Sequence, residues 1–204
     1  MRVIGFIGYS KTGKTTSILS VIKELCARGY SVGTIKDIKH GKFTLDTSGK
    51  NSFRQREAGA VPVTARGEEE TGILFPGRVP AELLLRHYQT DFVLLEGVRD
   101  FPVPQILTGT TEQQLEERVN ERVFAVCGRI SNDLKNWRGL PVINAAENAA
   151  PLVDLILAKA GHYHEKGSGR LLAGGTELTL SPGTLAELSR VLKGKNVELR
   201  FEEE

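Results

Sequence analysis

The sequence predicts an α/β fold, in which a mostly parallel, twisted sheet is flanked by helices and followed by a small ββαβ appendage. Short β-branched apolar runs alternate with segments of helical period, an order that favours parallel strands joined by crossover helices. A glycine-containing loop joins the first run to the first helical segment. A polar joint over residues 161–169 follows the last helical segment of this pattern. We therefore expect a main domain over residues 1–160 and an appendage over residues 168–204.

The first elements are the clearest. Residues 3–7 have the composition of a buried strand, and residues 16–27 carry apolar side chains at helical spacing before a stop signal at Gly29. A second strand is predicted at residues 30–35. A basic, loop-like segment follows it. Four more elements are then predicted: a helix at 50–57, a strand at 61–65, an edge strand at 73–75 and a helix at 80–87.

The second half of the main domain repeats the alternation. Residues 91–96 are predicted to be a strand in which four apolar residues, 92–95, are followed by a carboxylate, and the proline-rich residues 98–105 predict a loop. The remaining elements are a charged helix at 111–118, a strand at 123–127, a short strand at 141–143 and a helix at 151–160. In the appendage, residues 170–173 and 177–180 flank Gly174-Gly175 as a hairpin, followed by a helix at 182–192 and a strand at 197–201.

Composition excludes several classes of protein. The 204 residues include 27 basic and 25 acidic side chains, a net charge of +2 that gives no general attraction to nucleic acid or anionic membranes. No apolar run approaches the length that spans a bilayer, and the N-terminal run is too short for a signal peptide. Cys26 and Cys127 lack metal-site spacing and are predicted to be buried, reduced thiols. We expect a cytoplasmic protein.

The loop after the first strand carries the strongest functional signal. It fits the phosphate-loop pattern G-x-x-x-x-G-K-[ST], in the strand–loop–helix context that this pattern requires, and predicts the P-loop NTPase fold. Lys14 is expected to contact the β- and γ-phosphates and to serve catalysis, and the Thr15 hydroxyl to ligate Mg²⁺. The predicted nucleotide-binding residues of this loop are Gly8, Ser10, Lys11, Thr12, Gly13, Lys14, Thr15 and Thr16.

A second acidic element is expected near the Mg²⁺ ion, at the carboxyl end of a parallel strand. Asp91 and Glu96 both border the apolar run at residues 92–95. Asp91 precedes the strand, whereas Glu96 is at its tip on the ligand side. We therefore assign Glu96 as a metal ligand, with Thr15, and as a catalytic acid.

The basic segment after the second strand has two interpretations. Its cationic side chains are either an anion-binding rim for a second phosphate group or the exposed charges of a soluble loop. We favour the first interpretation and include Arg54 among the ligand-binding residues. The members are Lys36, Lys39, His40, Lys42, Lys50, Arg54 and Arg56.

Three stretches together resemble the molybdopterin-guanine dinucleotide biosynthesis accessory protein (MobB) family. They are the phosphate loop, the strand from Asp91 to its tip Glu96-Gly97, and the segment from Gly49-Lys50-Asn51-Ser52-Phe53-Arg54 to Ala58-Gly59-Ala60, which is the most specific of the three. The resemblance covers about half of the chain. It implies a dimeric protein that binds GTP and Mg²⁺, hydrolyses GTP slowly, and assists the guanylyltransferase that joins GMP to molybdopterin.

The chain departs from the family pattern at two places. The family usually carries Lys-His-x-x-His after the second strand, whereas this chain has Lys36-Asp37-Ile38-Lys39-His40, and Val98-Arg99 replace an aromatic residue and a lysine. Related phosphate-loop GTPases place an aspartate at the position of Asp37, near Mg²⁺ and the attacking water. Asp37 is therefore either a catalytic, water-orienting acid or a loop residue paired with Lys36 or Lys39.

Two other functions use the same loop. A small-molecule kinase would hold its acceptor at the basic segment, and a metallochaperone-type GTPase would use His40 as a metal ligand. The sequence shows no arginine finger and no Asn-Lys-x-Asp element for guanine. Residues 131–133 and 142–144 are the candidate base contacts, so the choice of GTP depends on the resemblance.

Overall fold

The computed structural model describes residues 1–38, 43–163, 169–173 and 176–180. The chain divides into two compact units, Met1–Gly161 and His162–Glu204. No helix in the described ranges is long and apolar enough to cross a bilayer.

Eleven strands and five α-helices are assigned within the described ranges. The strands are β1 (Arg2–Gly8), β2 (Val32–Lys36), β3 (Val63–Arg66), β4 (Thr71–Leu74), β5 (Phe92–Glu96), β6 (Gln105–Thr108), β7 (Val123–Cys127), β8 (Asn136–Trp137), β9 (Leu140–Pro141), β10 (Gly169–Ala173) and β11 (Thr176–Leu180). The helices are α1 (Lys14–Ala27), α2 (Asn51–Glu57), α3 (Ala81–Leu85), α4 (Glu112–Glu116) and α5 (Ala150–Lys159).

A five-stranded parallel sheet in the order β2-β5-β1-β6-β7 forms the centre of the first unit. The central strand β1 is buried from Val3 to Gly8, as expected for a strand covered on both faces. Helices α1 and α5 pack on one face through Val21, Leu25 and Leu152. On the other face, Leu107, Leu115 and Trp137 belong to a second apolar cluster. The predicted α/β class is confirmed.

One central strand was not predicted. Residues 98–105 were expected to be a loop, but β6 begins at Gln105 and lies directly beside β1. Gln105 and Thr108 interrupt the apolar pattern, although both are buried. The Gln105 amide is satisfied by Asn120, whose Nδ2 donates to Oε1 at 2.8 Å. The sequence pattern therefore did not predict this strand, because two of its four residues are polar and are accommodated only by tertiary contacts.

The strand expected at 73–75 is confirmed as β4, which pairs antiparallel with β3 in a two-stranded sheet separate from the central one. Two other predictions were wrong. Of the strand expected at 141–143, Pro141 belongs to the β8–β9 hairpin, and Val142 makes only an isolated parallel bridge to Val126. Cys26 is exposed on α1, whereas Cys127 is buried as expected.

In the second unit, β10 and β11 form an antiparallel hairpin that pairs Leu171 with Leu178. This hairpin is close to the one predicted at 170–173 and 177–180. The helix expected at 182–192 and the strand expected at 197–201 lie outside the described residues.

Candidate functional site

The glycine loop connects β1 to α1 through backbone conformations that glycine permits. Gly8 has φ +140° and Gly13 has φ +94°. A Cβ on Gly8 would lie 2.2 Å from the carbonyl oxygen of Thr108, so β6 leaves no room for a side chain there. The Ser17 amide donates to the Gly13 carbonyl at 2.9 Å, which begins helix α1 directly behind the loop. A loop of this kind directs backbone N–H groups and a helix N-terminus towards an anion.

Thr12 packs against the ends of β6 and β7 instead of facing the cleft. It is buried, and its Oγ1 is 2.7 Å from Thr108 Oγ1 and donates to the Tyr9 carbonyl at 2.8 Å. The Arg129 amide donates to the Thr12 carbonyl at 3.0 Å. A Cβ on Gly128 would lie 2.3 Å from the same carbonyl oxygen. The ends of β6 and β7 therefore hold the loop in place.

Lys14 reaches back across the loop. Its Nζ donates to the carbonyl oxygen of Gly8 at 3.1 Å and to that of Tyr9. Burial lowers the pKa of the Lys14 ammonium, and the negative charge of Glu96 opposes part of this shift. No ion pair of 4 Å or less neutralises Lys14 among the described residues, so its charge is available to a phosphate.

In the ligand-free protein, we expect Lys14 to lose its proton at a lower pH than an ordinary lysine, because burial penalises the charged form. Affinity for a phosphate anion should therefore decline as the pH rises through this lowered pKa. A Glu96→Gln change should lower the Lys14 pKa further, because the carboxylate favours the ammonium. A side-chain ¹³C NMR titration measures both values, with Asp91→Asn as the control. An equal Lys14 pKa in the two variants would contradict the assignment.

Glu96 and Thr15 meet at the carboxyl end of β5. The Thr15 hydroxyl donates to Glu96 Oε1 at 2.7 Å, and Lys36 Nζ lies 3.3 Å from Glu96 Oε2. Asp91 lies at the opposite end of the strand, where its Oδ2 accepts from the amide and hydroxyl of Ser31 at 2.8 and 2.7 Å. Of the two acids considered from the sequence, only Glu96 is next to the glycine loop.

Asp37 lies beside this pair, and its amide donates to the Glu96 carbonyl at 2.9 Å. Its carboxylate accepts from Arg78 Nη2, also at 2.9 Å, and Arg78 bridges to Asp100 at 3.2 Å. The expected partner Lys36 instead contacts Glu96. Lys39, the other expected partner, lies outside the described residues, as do His40 and Lys42.

These residues border one cleft of about 840 Å³ at the carboxyl ends of the parallel strands. Six of its lining side chains are cationic and two are anionic, which favours a polyanionic ligand. The charged members are Lys11, Lys14, Lys36, Arg99, Arg118, Arg129, Asp37 and Glu96. Backbone and uncharged members include Gly8, Tyr9, Ser10, Gly13, Thr15, Thr16, Gly128, Asn132 and Asn144.

Of the residues assigned to nucleotide or ligand binding, Thr12 and Arg54 do not line the cleft. Thr12 packs beneath the loop, and Arg54 is exposed on α2. Arg56, from the same basic segment, lies 3.9 Å from Asp46 and is also absent from the cleft lining. A ligand contact by Arg54 remains a prediction.

The sequence did not identify Arg118 or Arg129 as cleft residues. Arg129 follows Gly128 directly after β7, and a glycine at the carboxyl end of a predicted parallel strand is a signal that could have indicated it. Arg118 follows the short helix α4 and carries no comparable signal. The candidate base contacts Asn132 and Asn144 do line the cleft, and Asn144 Nδ2 donates to Asn132 Oδ1 at 3.0 Å.

Comparison with known proteins agrees with this architecture. The sequence profile of the family described as molybdopterin guanine dinucleotide synthesis protein B (MobB) matches residues 3–129. A molybdopterin-guanine dinucleotide biosynthesis adapter protein of Haemophilus influenzae is 37% identical over 131 residues, which are 61% of this chain and 72% of the relative. A probable adapter protein of the same kind from Bacillus subtilis is 27% identical over 162 residues, 77% of this chain and 92% of the relative.

Solved structures show the same relationship. The crystal structure of Bacillus subtilis MobB superimposes with a TM-score of 0.64 at 25% identity, over 80% of this chain and all of that chain. The resemblance inferred from the loop, the Glu96-Gly97 tip and residues 49–60 is therefore confirmed. The chain belongs to the MobB family.

Proposed function

We propose that this chain is an adapter protein of molybdenum cofactor biosynthesis that binds Mg²⁺·GTP in the cleft and hydrolyses it slowly. The observation that carries the proposal is the convergence of Lys14, Thr15 and Glu96 at the end of a glycine loop. Phosphoryl-transfer sites depend on positioning and charge stabilisation, which such a constellation supplies. The names of the relatives support the biosynthetic role.

The residues present fit a magnesium ion. Mg²⁺ prefers oxygen ligands, and the Thr15 hydroxyl and the Glu96 carboxylate oxygen lie 2.7 Å apart. When bound, the ion would neutralise charge on the β- and γ-phosphates. Lys14 would bind the same phosphates, and Asp37, held by Arg78, would orient water beside the ion.

A Glu96→Gln variant is expected to weaken Mg²⁺ binding in the GTP complex by at least about 10-fold, because it replaces a charged ligand with a neutral amide. A Mg²⁺ titration of the complex with a fluorescent GTP analogue measures this loss. Asp91→Asn removes the same charge at the other end of β5 and is the matched control. Equal Mg²⁺ affinities in the two variants would contradict the assignment of Glu96.

The nucleobase is proposed to lie at the end of the cleft formed by Asn132 and Asn144. Val142 pairs with Val126, which places Asn144 just beyond the carboxyl end of β7. Side-chain amides offer both a donor and an acceptor, as the edge of a purine requires. Since adenine and guanine both fit an amide, the preference for GTP is inferred from the family.

A competition titration tests the proposal. Full-length protein is loaded with a fluorescent GTP analogue in the presence of Mg²⁺, and unlabelled GTP and ATP displace it. We expect GTP to compete at lower concentration than ATP, and GDP to accumulate slowly on longer incubation. A protein that binds no nucleoside triphosphate under these conditions would overturn the proposal.

The protein partners are also proposed from the family relationship. The family relationship supports a homodimer that associates with the molybdenum cofactor guanylyltransferase and acts beside its molybdopterin substrate. Light scattering coupled to gel filtration tests the dimer. A pull-down with purified guanylyltransferase, with and without GTP, tests the association. A monomer that shows no association in either state would contradict this part of the proposal.

A small-molecule kinase is the second candidate, and one observation favours it. A groove of about 760 Å³ shares Lys36 and Asp37 with the phosphate cleft and also contains Arg56 and Arg78. This groove has room for an acceptor beside the terminal phosphate. Incubation with γ-labelled GTP and a metabolite extract separates the candidates, because a kinase labels a metabolite and a GTPase releases labelled phosphate.

No observation favours the metallochaperone alternative. His40 lies outside the described residues, and no three His, Cys, Asp or Glu side chains gather into a metal-binding cluster within the described ranges. Metal analysis of the purified protein tests it directly.

A further inference from the structure

The cleft contains an arginine for which the loop motif has no role. Arg118 borders the cleft, and its Cζ lies 4.3 Å from the centroid of the Tyr9 ring. Its Nε is buried without a hydrogen-bond acceptor. Within the described part of the chain, Arg118 makes no ion pair, in contrast to Lys36 and Arg78. A guanidinium with an unsatisfied N–H at the wall of a cationic cleft favours an anionic ligand.

The contacts of Lys14 show which end of the cleft Arg118 occupies. Lys14 Nζ donates to the carbonyl oxygens of Gly8 and Tyr9. In phosphate loops, this lysine contacts the β- and γ-phosphates. Tyr9 therefore marks the terminal-phosphate end of the loop, and the guanidinium stacked on its ring lies at that end.

The position of Arg118 is held by its neighbours. The Tyr9 hydroxyl donates to Glu117 Oε2, and Gln113 Nε2 donates to Glu117 Oε1 at 3.1 Å. Leu115 is fully buried and anchors α4, and the Arg118 amide donates to its carbonyl at 3.1 Å. The aromatic ring thus orients the guanidinium, and a hydrogen-bonded carboxylate orients the ring.

We propose that Arg118 is a catalytic residue that binds the γ-phosphate in cis and stabilises its charge during GTP hydrolysis, with Tyr9 as its positioning residue. The inference rests on the proposed function. In the reaction, a water oxygen forms a bond to the γ-phosphorus while the bond to the β–γ bridging oxygen breaks. The products are GDP, inorganic phosphate and the proton released from water. Arginine suits this role because its planar fork contacts two phosphate oxygens at once.

Single-turnover hydrolysis by the full-length protein tests the proposal. Arg118→Ala is expected to lower the rate at saturating GTP by roughly 20-fold, close to the difference between GTPases with and without an arginine in cis. GDP affinity should change by less than about 3-fold, because GDP lacks the γ-phosphate. Binding of GDP with aluminium fluoride, which occupies the γ-phosphate position, should weaken in parallel with the rate.

Matched variants separate chemistry from folding. Arg118→Lys should restore part of the rate, and Tyr9→Leu should lower the rate while GDP affinity and melting temperature are kept. Arg138 also stacks on an aromatic ring, with its Cζ 5.2 Å from the centroid of Trp137, but lies outside the cleft. Arg138→Ala should therefore hydrolyse GTP at the unchanged rate.

Two results would overturn the inference while leaving the proposed function intact. In one, Arg118→Ala hydrolyses GTP as fast as the unchanged protein. In the other, it loses GDP and GTP affinity equally at an unchanged saturating rate. If the unchanged protein binds no triphosphate, the proposed function fails first and the role of Arg118 fails with it.

Discussion

A Lys14→Ala variant is expected to bind Mg²⁺·GTP at least about 100-fold more weakly than the unchanged protein. Hydrogen bonds to charged groups contribute about 1.5–3 kcal/mol each, so losing one contact to the β- and one to the γ-phosphate costs about 3 kcal/mol or more. At about 1.4 kcal/mol per tenfold change, that loss is about 100-fold in affinity. The Lys14 ammonium also attracts the Glu96 carboxylate electrostatically, so its removal leaves that negative charge less balanced.

Calorimetry with a non-hydrolysable GTP analogue measures the effect. Lys23→Ala is the matched control, because it removes the same charge from an exposed position on the same helix. The control should bind the analogue with unchanged affinity. Equal affinities for all three proteins would show that the Lys14 ammonium does not contact the triphosphate.

Gly128→Ala is expected to lower both the free energy of unfolding and the affinity for GTP. The new Cβ would lie 2.3 Å from the carbonyl oxygen of Thr12, so either the glycine loop or the end of β7 must move. Overpacking against backbone, added to a backbone conformation (φ +89°, ψ −160°) that is almost restricted to glycine, should lower the free energy of unfolding by about 2–4 kcal/mol. Displacement of the loop should also weaken GTP binding.

Gly29→Ala is the control for a positive φ without a steric contact. Gly29 has φ +87° and Gly128 has φ +89°, but a Cβ on Gly29 would have no neighbour within 4 Å. The control therefore carries only the conformational cost, about 1 kcal/mol, and should keep full GTP affinity. Urea denaturation and nucleotide titration measure both quantities. Equal destabilisation of the two variants would show that contact with the loop is unimportant.

The strand–helix alternation was predictable because its determinants are local. The apolar runs at β1, β5 and β7 are continuous, and each appears in the structure within two residues of its predicted limits. Strand β6 was not predictable by the same criterion, because Gln105 and Thr108 are polar. The free-energy cost of burying these polar side chains is offset only by hydrogen bonds to residues that are not adjacent in the sequence, such as Asn120 for Gln105.

The residues of the candidate site also divide into those that a local sequence pattern predicts and those that it does not. Gly8 to Thr15 form one contiguous motif, so the loop could be identified from spacing alone. Glu96 could be proposed because an acid at the tip of a buried strand faces the ligand edge. The pairing of Asp37 with Arg78 joins residues 41 positions apart, and no local pattern indicates it.

The sequence by itself determined the fold class, the position of the glycine loop and the family, because strand and helix periods and the contiguous loop motif are local properties. The tertiary structure decided which distant residues complete the cleft. The sheet order places β6 beside β1 and β7 beside β6, which brings Thr108 and Gly128 against the loop and Arg118 against Tyr9. Strand order depends on how the helices cross the sheet and what they bury, and residue spacing does not encode it.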